Sequence, residues 1–462
     1  KCLYVNKADF LTLYSHKGTF YAGCQRIERG CTAHGILFHI RVLTSSTNQE
    51  KQVSTTYPAR RIVWSSKSLV PMALAMIAAG FDFYVPVSAF FLESRGLSLT
   101  DIFMLESILV ASILVAEIPA GVIGDRFDRR RLVGAGFVFN AIAEILFATG
   151  TNFSIYALSF VMSGLSIAML TGVQDAYIYD SLGDDADAKA VGAWGHLSAL
   201  MLTAGVTGSV VGSALGSVDI SLPALLSAAM AVVAAVCVAF LPQQNPKTHD
   251  KHPETSWISL KIGVKLLFTS PLLLYVAVGS SASFALFNAV YTLNQPLFAA
   301  QDVPIATWGV IAGAGQLLAA GYNYAAGRIE KRVGRKTALL LAMGYGAAGF
   351  CLMAVPHVLA VVSGFLLVVV GIHARGPITS AVTNKLIPAH RRATVLNVAS
   401  SVGSLVGIVV NPLVGLGAEA STRLTVLAIG GVLLALTLTW IPIANRYLEA
   451  DEDADMSEAH VS

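Results

Sequence analysis

Charge is what this chain has little of. Only 13% of its 462 residues are Asp, Glu, Lys or Arg, while 55% are hydrophobic. Mean hydropathy is +0.66. A soluble domain carries roughly 25% charged residues, so this composition excludes a water-soluble globule and points to a polytopic membrane protein. Cysteine is scarce too. Five are scattered along the chain, which excludes a disulfide framework. Cys237 and Cys351 fall in apolar runs and read as small core residues. There is no His-Glu-x-x-His, no Cys-x-x-Cys pair and no phosphate-binding Walker loop, so neither a metalloenzyme nor a nucleotide-driven pump has support. We expect no enzyme activity, no cofactor, no metal and no nucleic-acid partner.

Methionine is missing from the first 71 residues, Met72 being the first. Residues 1–68 hold ten Lys/Arg against three acids. Their longest apolar run, Gly35–Phe38, is too short for a secretory leader. Two expectations compete for this segment. It is a disordered upstream extension, with the natural start nearer Val63 to Val70, or a basic arm drawn to anionic lipid. At the other end, the tail after Arg446 holds six acids and no Lys or Arg.

What is present in abundance is long apolar runs. A helix needs about 20 such residues to cross a bilayer, and twelve candidate spans satisfy this: 69–92, 100–124, 132–150, 154–180, 192–217, 220–241, 271–298, 306–328, 336–355, 358–384, 392–417 and 423–443. The expected divisions are a basic extension over 1–68, a six-helix bundle over 69–242 and a polar linker over 243–261. A second six-helix bundle over 262–445 and an acidic tail over 446–462 complete the chain. Bases concentrate on one side. The loops after spans 2, 6, 8 and 10 carry Arg126 to Arg131, Lys247 to Lys265, Arg328 to Lys336 and Lys385 to Arg392. The opposite loops carry only Arg95 and Arg423. The excess of Lys and Arg marks the cytoplasmic face and predicts both termini there. The acidic loop with Asp184, Asp185 and Asp187 does not disturb this, because acids count little in the rule.

The loop after span 2 reads Gly121-Val122-Ile123-Gly124-Asp125-Arg126-Phe127-Asp128-Arg129-Arg130-Arg131. A degenerate copy lies 206 residues on, from Gly327 to Lys336, with Lys331 in place of Asp125 and the basic pairs 129/130 and 335/336 in register. A long-period repeat in an apolar chain suggests two related halves. This loop resembles the signature of the major facilitator superfamily, G-x-x-x-D-[RK]-x-G-[RK]-[RK]. Gly121, Asp125, Arg126, Arg129 and Arg130 match, and Asp128 stands where the family has Gly. The resemblance covers residues 69–445. It implies an all-α membrane fold of two six-helix bundles with pseudo-two-fold symmetry, and transport by alternating access.

Ionisable residues at bilayer depth default to functional candidates. Here they are Asp82, Glu106, Glu117, Glu144 and Arg375. In the family, helices 1, 4, 7 and 10 line the cavity, which implies Asp82, Tyr84 and Arg375 as cavity residues, with Asn288 and Tyr291 of span 7. Asp82 could carry a proton and Arg375 an anionic substrate group, or both could be structural ion pairs. Asn294 and Gln295 could line the cavity or join helices. Glu106 and Glu117 lie eleven residues apart, on one helical face. Glu117 reads as a structural or gating acid and Glu144 as structural. The resemblance also implies a latch between Asp180 and Arg129 or Arg130. Glycine repeats at 208/212/216, 309/313 and 403/407 permit close helix packing, and in the family helices 5 and 8, and 2 and 11, meet across the halves.

Two features of proton-coupled drug exporters are absent: an Arg before Gly164 in span 4, and a Pro in span 5. The preferred expectation is a monomeric secondary transporter in the bacterial inner membrane. It would export a small organic solute as a proton antiporter. The alternatives are an uptake symporter or facilitator for an organic anion, and a non-transporting sensor or assembly protein.

Overall fold

The computed structural model describes residues 59–126, 128–183, 186–243, 265, 268, 271–386 and 392–459. The side chains of 59–61, 118, 121–126, 187, 271–277, 280, 335, 336, 339, 375–386, 392–394, 396, 397, 440 and 442–459 lie outside that description. So do residues 1–58 and nearly all of the expected linker. Among the described residues every regular element is helical.

In chain order these are α1 (Ala59–Ser65), α2 (Leu69–Gly80), α3 (Ser88–Ser94), α4 (Leu99–Arg126), α5 (Arg129–Thr149), α6 (Phe153–Leu170), α7 (Val173–Ser181), α8 (Ala186–Gly216) and α9 (Leu222–Ala239). There follow α10 (Pro271–Asn288), α11 (Val290–Ala299), α12 (Ile305–Val333), α13 (Arg335–Met353), α14 (Val358–Leu386) and α15 (Arg392–Ala459). Eight stretches among the described residues are long and apolar enough to cross a membrane. Leu340–Met353 and Val358–Ala374 are shorter apolar helices. Large apolar side chains such as Val115, Leu359 and Leu424 point outward, as lipid-facing residues do.

α1 is part of the packed structure. Val63 is fully buried against Leu69, Met72, Tyr177 and Ala193, so the packed part of the protein already includes α1.

Three expected spans are interrupted. The first stops at Gly80 and resumes with a 3-10 turn over Val85–Val87 that leads into α3. Pro86 has no N–H to give an upstream carbonyl, and the freed groups find other partners. The Phe83 N–H donates to Ser227 Oγ at 2.9 Å and the Asp82 N–H to the Gly80 carbonyl at 3.0 Å. The fourth span breaks at Gly172, whose φ of 76° suits glycine. The seventh is divided between α10 and α11 at Ala289. The last two spans run on as α15, bent at the extended residue Ser421.

α4 packs on α15 and α8 on α12, so helices 2 and 11, and 5 and 8, do meet. The glycine stripe of α8 serves a different contact from the one expected. Gly208 lies against Phe81 and the Asp82 N–H, and Gly212 against the Phe83 carbonyl. The stripe therefore receives the break in the first span. α12 is met by the neighbouring face of α8, where Gly309 touches Ser209 and Ser213. Gly403 faces Ser281 of α10 rather than α4.

Two large apolar cores stand out among the described residues. One, with Leu69, Val133, Leu197 and Val238, lies in the first half near the Arg129 end. The larger, with Phe91, Phe103, Phe147, Phe298, Trp308 and Phe365, draws on both halves at the opposite end.

A side chain at Gly212 would overlap the Phe83 carbonyl, which is backbone and cannot rotate away. Gly212→Ala is expected to destabilise the purified protein by about 1–3 kcal/mol. Gly344→Ala, where a Cβ meets nothing within 4 Å, should be neutral or stabilising by up to ~1 kcal/mol. Thermal unfolding in detergent reads the difference, and equal midpoints for the two variants would contradict the close approach.

Candidate functional site: two joined cavities

The break in the first span sets Asp82 on a cavity wall. The cavity, about 470 Å³, is lined mostly from the first half, by residues of α2 to α8, and is completed by Tyr291 and Thr292 of α11. Asp82, Tyr84, Glu106 and Glu144 all face it. The Tyr84 hydroxyl donates to Glu144 Oε1 at 3.3 Å, and the Tyr84 ring lies 4.3 Å from that of Phe147. Glu144 is 8% exposed and its Oε2 is buried with no hydrogen-bond partner among the described residues. No Lys or Arg lines this cavity among the described residues.

A second cavity, about 550 Å³, lies between α4, α10, α11 and α15. Asn288 and Tyr291 line it, as does Glu106. Glu106, Tyr291 and Thr292 belong to both cavities, so the two spaces meet at these residues.

Glu144 joins the cavity wall without having been among the expected cavity residues. It was expected to be structural, and it stands on the cavity wall with Asp82. A signal existed. Phe137, Asn140, Glu144 and Phe147 recur at helical spacing on α5, and all four line the cavity. Glu106 and Glu117 share the face that their spacing requires but not its surroundings. Glu106 is partly buried, whereas Glu117 is exposed beside the Ala116–Ala120 face that packs on Ala168. The side chain of Arg375 lies outside the described residues, and so do those of Gly121, Asp125 and Arg126.

The described part of the signature loop is well tied. Asp128 has ordinary backbone angles and caps α5, accepting from the Arg130 N–H at 3.0 Å. An acid that satisfies a free N–H at a helix start replaces the family glycine. Arg129 forms an ion pair with Asp180, and the Arg130 guanidinium donates through Nη2 to the Ala239 carbonyl at 3.1 Å.

At the opposite end the halves are joined by polar contacts. Gln295 Oε1 accepts from the Phe90 N–H at 3.0 Å, and its Nε2 donates to the Val85 carbonyl and Ser88 Oγ, each at 3.3 Å. Gln295 is fully buried, so it joins helices instead of facing the cavity. Ser213 Oγ donates to the Ala306 carbonyl and Ser107 Oγ to that of Ile408. Thr100 donates to Glu419. Among the described residues these polar contacts between the halves lie toward the end away from Arg129.

Gln295→Leu keeps the bulk and removes the bonds. Losing about 1.4 kcal/mol of net hydrogen bonding shifts a two-state population tenfold. Spin labels at Ser94→Cys and Gln301→Cys, in a background without other cysteines, should then show a larger long-distance population. An unchanged distance distribution would mean that apolar packing alone holds this end.

The model of the Major Facilitator Superfamily matches residues 72–410. The quinolone resistance protein NorA of Staphylococcus aureus is 26% identical over 133 residues, 29% of this chain and 34% of NorA. Multidrug resistance protein 2 of Bacillus subtilis (strain 168) is 28% identical over 129 residues, 28% of this chain and 32% of that protein. The chain thus matches about a third of the length of these curated relatives. The solved nucleoside transporter NupG superposes with TM-score 0.66 at 13% identity, covering 80% of this chain and 96% of NupG. The peptide transporter POT in complex with sulfate gives 0.64 at 16% identity, with 85% and 99% covered. A bacterial homologue of the iron transporter ferroportin in an inward-facing state gives 0.61 at 16%, with 82% and 98% covered. At such identities the structural likeness is one of fold. With the family model matching residues 72–410 and every regular element among the described residues helical, the chain belongs to the major facilitator superfamily of multi-pass membrane transporters.

Proposed function

We propose that this protein exports a small organic solute in exchange for protons, as a monomer in a bacterial plasma membrane with both termini cytoplasmic. The observation that carries the reading is the position of Asp82. It sits where the first span is unwound, on the wall of a cavity that also holds Glu144 and contains no Lys or Arg among its described lining. A carboxyl group inside the membrane, with no cation beside it, changes the charge of the cavity by one when it gains or loses a proton. That coupling of proton occupancy to cavity charge is what an antiporter requires. Tyr84 orients Glu144 through its hydroxyl and leaves the second oxygen of that carboxylate open.

Three further facts support export. The curated relatives are a quinolone resistance protein and a multidrug resistance protein. The cavities are lined by Phe103, Phe147, Phe160, Phe284 and Tyr291, surfaces that suit apolar and aromatic solutes. The excess of bases on the Arg129 side favours the cytoplasmic placement of the termini. Both halves of one chain supply the walls, so a second copy is not needed to complete the site.

The test is reconstitution of the full chain in proteoliposomes with an imposed proton gradient and labelled lipophilic cations and organic anions. Asp82→Asn should abolish gradient-driven accumulation while leaving counterflow exchange within about threefold of the unmutated protein. Glu144→Gln should weaken accumulation in the same assay. Accumulation unaffected by Asp82→Asn would remove Asp82 from the coupling step, and accumulation of anions alone would favour the uptake reading.

A further inference from the structure

Three carboxylates reach the cavities, and their positions are not equivalent. Asp82 and Glu144 face only the smaller cavity. Glu106 faces both. In the larger cavity it stands alone: among the described lining residues no other side chain is charged. Around it are the rings of Phe103, Phe284 and Tyr291 and the neutral polar groups of Asn288, Thr292 and Asn411. One Asn288 amide N–H donates to the Phe284 carbonyl at 2.8 Å, which leaves the amide oxygen and the second N–H to meet a ligand.

One negative charge, hydrogen-bond acceptors and several π faces together recognise an organic cation. The carboxylate supplies the ionic partner and the rings attract positive charge through their quadrupoles. An organic anion would meet repulsion from Glu106 and no compensating base among the described lining. A neutral solute would gain no ionic partner from Glu106, whose carboxyl would then favour its protonated form. The volume of about 550 Å³ is in the range of pockets that take drug-sized molecules.

We infer that Glu106 is the charge-selecting residue of the substrate site, which takes an aromatic or aliphatic monovalent organic cation between α4, α10, α11 and α15, apart from the Asp82–Glu144 wall. This rests on the export reading only for the direction of transport, since the binding site stands on its own geometry. Tyr291 and Thr292, which line both spaces, then mark the passage between the cation site and the two remaining acids.

Equilibrium binding to the purified full chain tests it without any gradient. The probes are tetraphenylphosphonium and the neutral triphenylphosphine oxide. Glu106→Gln should raise the Kd for tetraphenylphosphonium at least about tenfold, the loss of one ionic partner. It should leave triphenylphosphine oxide within about twofold. Glu106→Asp, which keeps the charge on a shorter stem, should restore cation binding to within about fivefold. Glu117→Gln, at an exposed position on the same helix, should bind as the unmutated protein does. The effect of Asp82→Asn on cation affinity should be the smaller one, although the same change abolishes coupled transport. Unchanged cation affinity in Glu106→Gln would overturn the inference. So would an Asp82→Asn effect as large as that of Glu106→Gln, or a preference of the unmutated protein for the neutral probe. Each of these leaves gradient-driven export intact, whereas failure of the export reading would appear as absent accumulation with the binding pattern preserved.

Discussion

The close approach of α8 to the unwound part of the first span is the constraint on which the cavity depends. Phe81, Asp82 and Phe83 lie on Gly208 and Gly212, and no residue with a side chain fits at Gly212. The backbone groups released by the break are taken up nearby, the Phe83 N–H by Ser227 of α9. Without that surface the segment would have to remain helical to satisfy its own N–H and C=O groups in lipid. Asp82 would then sit on a continuous helix whose direction is set by other contacts. The small residues of one helix therefore determine where an acid of another points.

The acids that follow from this arrangement are held with few partners. Tyr84 offers one hydrogen bond to Glu144, and the rest of the wall is aromatic, apolar or weakly polar. Such a site is a poor way to stabilise a fold, because buried carboxylates without cations cost free energy. Its presence in a bundle otherwise rich in Ala, Gly, Leu, Phe and Val is the physical reason for proposing a transport role for it. The Arg129–Asp180 pair differs in kind. It joins the start of α5 to the end of α7 within one half, so it can hold the signature-loop end in shape without taking part in substrate contact.

Much of this was legible in the sequence. The apolar runs and the repeated loop point to the fold, and the basic loops to an orientation. Asp82 stood out as a candidate because it is an acid at bilayer depth between Phe81 and Phe83, with a structural ion pair as the alternative. The breaks at Asp82 and Ala289 were hidden, since nothing in a hydropathy pattern separates one long helix from two short ones end to end. Glu144 was hidden behind the lack of a local motif, although Asn140 and the phenylalanines at 137 and 147 carried the face. The destination of the glycine stripe was also unreadable. Spacing says that some backbone comes close, but not which one. Gln295 left two readings open, cavity or helix contact, and only the partners on α3 and the turn before it decide between them.

The larger apolar core belongs to neither half. Phe91 and Phe103 come from the first, Phe298, Trp308 and Phe365 from the second, and they form one cluster at the end away from Arg129. Parting the halves at that end exposes these rings to water, and wetting apolar surface carries a large positive heat capacity change. The enthalpy of opening should therefore rise steeply with temperature, and a plot of log rate against reciprocal temperature should curve. A transporter closed by this kind of seal works against the cohesion of its own aromatic residues, and its turnover in the cold reflects the physics of water as much as that of the substrate.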